Sequence, residues 1–209
     1  MRMRAVSVLL AVFLGGCGGV VSTAPASDEV TSRVDERLVG FWRVDYASSL
    51  PGKTEANRED SILVIGRKKG AEKTFELLGV TLHGDQTIES SNDEFDVTTI
   101  NQKDYASLKQ PLRVEREAKA PSWFVVRYEM PDADTLRVFA MDEKAVAADV
   151  KAGTITGNVS ESKATKLVSS FLTVELTAST TVLRAYLELH ADTAFAKDRL
   201  MVLRRLHLK

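Results

Sequence analysis

Cysteine is almost absent from this sequence of 209 residues, which contains only Cys17. A single cysteine excludes an internal disulfide framework and any cysteine-rich zinc site. Histidine is also scarce, since His83, His190 and His207 are the only three and lie far apart. None of them has a second histidine at the spacing of a metal-ligand pair. We therefore expect neither a bound metal nor a cofactor.

The sequence also lacks an excess of charge of either sign. Its 28 basic and 29 acidic residues give a formal net charge of −1. Nucleic-acid-binding proteins usually carry a basic excess, so we expect no nucleic-acid partner. The hydrophobic share of 44% and the charged share of 27% are close to globular averages. A chain of this length and composition can bury one proper core.

Motifs of enzyme classes are missing as well. There is no Gly-x-Ser-x-Gly and no glycine-rich phosphate loop. Ser160 and Lys163 have the spacing of Ser-x-x-Lys, but the companion motifs of that class are lacking. The acidic stretch 85–96 contains no glycine and does not match the ligand spacing of a calcium loop. The sequence therefore predicts a non-catalytic protein, with a solvated loop at 85–96.

No hydrophobic run approaches the roughly 20 residues that a membrane-spanning helix needs. A shorter run is present at the N-terminus, where Arg2 and Arg4 precede the apolar segment 5–14. Gly15 and Gly16 follow, and then Cys17. This layout is typical of a secretory signal peptide, which we predict over residues 1–16.

The segment Leu14-Gly15-Gly16-Cys17 resembles the lipobox of bacterial lipoproteins. In that family the cysteine thiol receives a diacylglycerol group, the preceding peptide is cleaved, and the new amine is acylated. The resemblance implies that Cys17 is the first mature residue and the lipid attachment site, which anchors the protein stably. No Asp follows Cys17, which resembles the sorting pattern for the outer membrane, facing the periplasm. An ordinary signal peptide with a cysteine near its cut is the alternative.

The rest of the chain divides into a short tether and one β-rich domain. Residues 17–27 comprise Cys17 and a small-residue stretch typical of a flexible tether, and residues 28–209 form the domain. A short helix is predicted over 28–36, capped by Ser27. Hairpins are predicted at 61–66 with 74–80 and at 123–130 with 135–141. Other predicted elements are helices at 143–152 and 180–191 and strands at 38–46, 95–100, 112–117, 154–159, 167–177 and 199–208.

The segment Gly40-Phe41-Trp42 on the first of these strands resembles the opening of lipocalins and the wider calycin group. In that group a Gly-x-Trp begins the first barrel strand after a short helical turn. The tryptophan closes one end of the barrel, and an arginine of the last strand lies over it. The resemblance implies that Arg204 or Arg205 stacks on Trp42. The alternative is that Trp42 is an ordinary core aromatic residue.

The fold that we predict is mainly β with two helices, as an antiparallel β-barrel or a strongly curved sheet of lipocalin-like type. Two functions remain open for it. One is a lipid-anchored envelope protein that binds a small apolar or amphipathic ligand in its barrel. The other is an envelope lipoprotein with a filled barrel that presents a surface to another envelope protein. A cavity of several hundred Å³ would favour the first.

Overall fold

The computed structural model describes residues 19–47, 60–110, 121–162 and 171–207. These residues form an eleven-stranded sheet, two α-helices and a 3-10 turn at Glu36–Leu38. The strands are β1 (Gly19–Ser22), β2 (Gly40–Ala47), β3 (Asp60–Arg67), β4 (Thr74–Leu82), β5 (Ile88–Ile100), β6 (Lys103–Lys109), β7 (Trp123–Asp132), β8 (Thr135–Met141), β9 (Gly157–Ser162), β10 (Phe171–Leu176) and β11 (Phe195–Leu206). The helices are α1 (Glu143–Lys151) and α2 (Thr180–Ala194).

Eight strands close into an antiparallel barrel in the order β2-β3-β4-β5-β6-β7-β8-β11. The circle is completed where β6 pairs with β7 and where β11 pairs with β2. Closure removes the unpaired edges that an open sheet would expose. The predicted fold, mainly β with two helices and a lipocalin-like antiparallel barrel, is confirmed.

The two ends of the barrel are named here after the residue that marks each. At the Trp42 end, β2 begins, β11 ends and a short loop joins β7 to β8. At the Trp123 end, β7 begins opposite Lys109, the last residue of β6. The β4–β5 hairpin, with Leu82 paired to Ile88, also lies at the Trp123 end.

The barrel interior is one hydrophobic core, built from alternate residues of its strands. This follows from the two-residue period of a strand, which directs every second side chain inward. The rings of Phe75 and Phe95 stack with centroids 5.1 Å apart. Trp42, Leu63, Val97, Met201 and Leu203 are also buried there.

A second core lies outside the barrel, where the helices cover β6, β7 and β8. There β1 pairs in parallel with β10, which pairs antiparallel with β9. Both helices begin at side-chain caps. The Asp142 carboxylate accepts the backbone N–H groups of Lys144 and Ala145, and the Ser179 hydroxyl accepts that of Val182. The apolar stripes of the predicted helices therefore face this core, with Leu183 and Leu187 fully buried.

The N-terminal predictions need correction. Residues 19–22 are not a flexible tether but strand β1, in which Gly19, Val20 and Ser22 are buried. Their small size, taken as a sign of flexibility, lets the strand pack closely between β7 and β10. The helix predicted over 28–36 is also wrong. Asp28 instead caps a turn through the N–H groups of Val30 and Thr31, and the 3-10 turn begins only at Glu36.

The acidic stretch is a second correction, because β5 begins at Ile88 and continues through it. Asp93 is buried and faces inward, like Ser91. Strand β6 was not predicted, and Asn101 and Gln102, both at positive φ, form the tight turn that leads to it. The strand predicted at 112–117 lies outside the described residues.

Candidate functional site

Trp42 and Arg205 form the central contact at the Trp42 end of the barrel. They are directly opposite each other in the pairing of β2 with β11. Trp42 is fully buried, and its indole Nε1 donates to the Leu38 carbonyl at 2.8 Å. The Arg205 Cζ lies 4.2 Å from the centroid of the Trp42 ring. This is within the range of a cation–π contact.

The Arg205 guanidinium also joins separate segments of the chain by hydrogen bonds. Its Nη1 donates to the Val39 carbonyl at 2.8 Å, and its Nε donates to the Ala133 carbonyl at 2.9 Å. Its Nη2 donates to the Arg37 carbonyl. The 3-10 turn and the β7–β8 loop are therefore fixed to the last strand by one side chain.

Gly40 makes room for this guanidinium. Its φ is +145°, and a Cβ there would lie 2.5 Å from Arg205 Nη1. The absence of a side chain at Gly40 therefore allows a side chain of the last strand to approach the backbone of β2 closely. Arg204, the other candidate, is exposed, and its guanidinium donates to the Thr135 hydroxyl. Of the two arginines that the sequence left open, Arg205 is the one over the ring.

A charged network beside this contact was missed by the sequence analysis. The buried Asp35 carboxylate accepts from Arg37 Nε at 2.8 Å and from the Tyr128 hydroxyl at 2.9 Å. Arg33 bridges Asp35 to Asp104, with its Nη2 at 2.7 Å from Asp104 Oδ1. The signal in the sequence is the alternation Arg33-x-Asp35-x-Arg37.

The pKa of Asp35 follows from these partners. Burial by itself raises this pKa, but hydrogen bonds from Arg37 and Tyr128, with the charges of Arg37 and Arg33, outweigh burial. The pKa is lowered from 3.8 to about 2. Burial and the adjacent Asp35 charge raise the pKa of Tyr128. Asp35 is therefore a carboxylate and Tyr128 a neutral donor at neutral pH.

An apolar cavity of about 100 Å³ occupies the barrel interior. Its wall includes Leu38 at the Trp42 end and Phe124 and Ala140 toward the Trp123 end. Gly19 and Val20 of β1 also line it, and Tyr128 is the one lining residue of the described chain with a polar side chain. The cavity can hold an apolar group but has almost no hydrogen-bonding groups to orient a polar one.

A larger polar depression of about 240 Å³ lies outside the barrel, between the β5–β6 turn and β7. Its cationic groups are already in ion pairs: Arg37 with Asp104, Lys103 with Asp192, and Arg127 with Glu129 and Asp192. This internal pairing leaves little net charge to attract a ligand. We therefore take the barrel interior as the candidate site.

The three histidines, which are far apart in the sequence, do not lie close together in the structure either. His83 lies beside Glu89, His190 stacks on Tyr186, and His207 lies beside Asp134. Within the described ranges, no group of three or more His, Cys, Asp or Glu side chains could hold a metal ion. Cys17, the predicted lipid attachment site, and the signal peptide at 1–16 lie outside the described residues.

The fold and the site define an eight-stranded antiparallel barrel whose end is closed by an arginine over a tryptophan. Comparisons of the chain with protein-family models, with curated proteins and with solved structures gave no match. Neither α1 nor α2, the helices of the described chain, is long and apolar enough to cross a membrane.

Proposed function

We propose that this chain is a non-catalytic, lipid-anchored protein of the bacterial cell envelope whose barrel binds a small apolar ligand. The anchor is the acylated Cys17, and the outer membrane, facing the periplasm, is the proposed location. The observation that carries the ligand proposal is the cavity inside the closed barrel, with its almost wholly apolar wall. Acylation rests on the segment Leu14-Gly15-Gly16-Cys17.

The volume of the cavity sets the class of ligand. Sites for drug-sized molecules usually measure roughly 300–1,000 Å³, and an engineered apolar cavity of about 150 Å³ binds benzene. A cavity of about 100 Å³ therefore fits a slender group such as part of one hydrocarbon chain, and not a bulky or strongly amphipathic molecule.

This volume is below the several hundred Å³ that would favour a ligand-binding barrel, and it therefore also supports a second candidate function. A barrel filled mostly by its own side chains can serve as a rigid body that presents its surface to another envelope protein. The two candidates differ in one measurable property, which is whether an apolar molecule occupies the interior.

Native mass spectrometry and calorimetric titration with a short straight-chain alcohol such as hexanol would separate them. The chain from Gly18 onward is suitable, because it retains every described element and lacks the anchor. Ala140 lines the cavity, so Ala140→Leu should reduce binding of the alcohol. Ala148, exposed on α1, provides the matched control Ala148→Leu, which should bind normally. If no ligand co-purifies and no saturable binding is measured, the ligand-binding proposal is wrong and the filled barrel is supported.

A further inference from the structure

We propose that the ligand of the barrel is a short straight-chain alcohol, whose hydroxyl group binds to Ser91 while its hydrocarbon chain lies in the apolar cavity. The inference rests on the proposed ligand-binding function and adds the chemical class of the ligand. Its basis is a change in the character of the barrel interior, from apolar around the cavity to polar at the Trp123 end.

Three buried hydroxyl side chains mark the polar part of the interior. Ser61 of β3, Thr81 of β4 and Ser91 of β5 are each at most 8% exposed. In each strand they keep the two-residue alternation of the side chains that line the cavity, so they also point into the barrel. These three residues are called the hydroxyl layer. They lie where β3 begins, β4 ends and β5 begins, which is the Trp123 end.

The hydroxyl layer adjoins the cavity at Gly79. This residue of β4 pairs with Leu63 on one side and with Ser91 on the other. Leu63 lines the cavity, and Gly79 places no side chain between Leu63 and Ser91. Leu77, another residue of the cavity wall, is the neighbouring inward-facing residue on β4. A hydrocarbon chain in the cavity can therefore bring its end to Ser91 by passing over the backbone of Gly79.

Ser91 is the member of the hydroxyl layer that lacks a hydrogen bond. The hydroxyl groups of Ser61 and Thr81 bind each other at 3.0 Å. The Ser91 Oγ, in contrast, is buried and has no hydrogen-bond partner within the described part of the chain. A buried hydroxyl without a partner costs free energy, which a ligand group that binds it would recover. An alcohol hydroxyl suits this position because it can both donate to and accept from a serine.

The electrostatics of this end favour a neutral head group. Burial of an ammonium or a carboxylate group is costly unless an opposite charge pairs with it, and hydroxyl groups supply no such charge. Asp93 is also buried at this end, but it already interacts with another group of the chain. The small volume of the cavity limits the apolar part of the ligand to a short, unbranched chain. A short alcohol meets both requirements.

Calorimetric titrations with 1-hexanol and with 1-fluorohexane test the role of Ser91. Fluorine is close in size to a hydroxyl group but donates no hydrogen bond, so 1-fluorohexane reports on the apolar cavity alone. Ser91→Ala removes the proposed partner of the head group. Ser90→Ala is the matched control, because Ser90 is the preceding residue of β5 and is exposed on its outward face. Both variants and the unmodified protein are titrated with both ligands, and thermal unfolding checks that each is folded.

We expect Ser91→Ala to weaken 1-hexanol binding about fivefold, the effect of one neutral hydrogen bond, and to leave 1-fluorohexane binding unchanged. Ser90→Ala should bind both ligands as the unmodified protein does. Unchanged hexanol binding by Ser91→Ala, or an equal loss for both ligands, would overturn the role of Ser91 and leave the cavity as a binding site. If neither ligand binds the unmodified protein, the proposed ligand-binding function is refuted together with this inference.

Discussion

The Arg205 guanidinium and the Trp42 indole meet over a separation of 4.2 Å, and both bind the same short turn. Trp42 donates to the carbonyl of Leu38, and Arg205 donates to the carbonyls on either side of it, of Arg37 and Val39. The side chains of one paired residue of β2 and one of β11 therefore donate hydrogen bonds to three consecutive backbone carbonyls. The contact is a cation–π interaction, and it also holds the 3-10 turn against the Trp42 end of the barrel.

Arg205→Met should destabilise the fold by on the order of 3 kcal/mol. The substitution keeps an apolar stem over the ring but removes charged hydrogen bonds, worth about 1.5–3 kcal/mol each, and the cation–π contact. Arg204→Met is the matched control. Arg204 is half exposed, and its Nε lies 3.6 Å from Asp45 Oδ2 in an ion pair at the surface. Its cost should stay below about 1 kcal/mol. Urea unfolding measures both, and equal losses would contradict the assigned role of Arg205.

Gly40→Ala should cost about 1–3 kcal/mol from its positive φ alone, and more because the new methyl group displaces the Arg205 guanidinium. Gly66→Ala, on the neighbouring strand, has no atom within 4 Å of its added Cβ and should change stability by at most about 0.5 kcal/mol. In an Arg205→Met background the cost of Gly40→Ala should fall. Thermal unfolding of this double-mutant cycle tests the coupling, and full additivity would argue against it.

Stability should decrease with acid through Asp35. The folded pKa of about 2 lies below the ordinary value of 3.8, so the carboxylate stabilises the fold fully above the ordinary value. This contribution, about 2 kcal/mol at neutral pH, is lost as the pH falls from about 5 toward 2. Asp35→Asn should be less stable at pH 7, and the difference from the unmodified protein should narrow in that range. A constant difference across the range would show that the Asp35 pKa is not depressed.

Cys17→Ser should abolish acylation and leave the protein unprocessed or outside the membrane fraction. The reason is that the thiol is the group to which the proposed diacylglycerol is attached. Fractionation together with intact mass measurement checks this. A correctly cleaved Cys17→Ser protein that still sediments with membranes would contradict a lipid anchor at this residue.

Local signals in the sequence were sufficient for the parts of the fold that depend on neighbouring residues. The hairpin of β7 and β8 was predicted from the polar loop 131–134 between two β-rich runs. The helices were predicted from their apolar spacing, α1 together with its cap at Asp142. The Trp42 contact was foreseen only through the resemblance of Gly40-Phe41-Trp42, because its partner lies more than 160 residues away.

Elements that depend on distant partners were missed. Nothing in the composition of β6 predicts burial of Ser107, whose hydroxyl accepts the Ala26 N–H. Likewise Gly19 and Val20 become a strand only because β10 supplies the hydrogen-bonding partner. The alternation Arg33-x-Asp35-x-Arg37 connects Asp35 with Arg37 locally, but no local pattern connects Asp35 with Tyr128 of β7, its other hydrogen-bond partner.

The pairings of β1 with β10 and of β2 with β11 also dictate the order in which the molecule assembles. Both join the beginning of the chain to its end, Gly19 to Thr173 and Trp42 to Arg205. The local hairpins can form early, whereas these distant pairings carry a large loop-closure entropy and complete the fold late. Until β11 has been synthesised, Trp42 has no cover and β2 has an open edge. The barrel thus stays open, and its core incompletely covered, until the last strand of the chain is available for pairing.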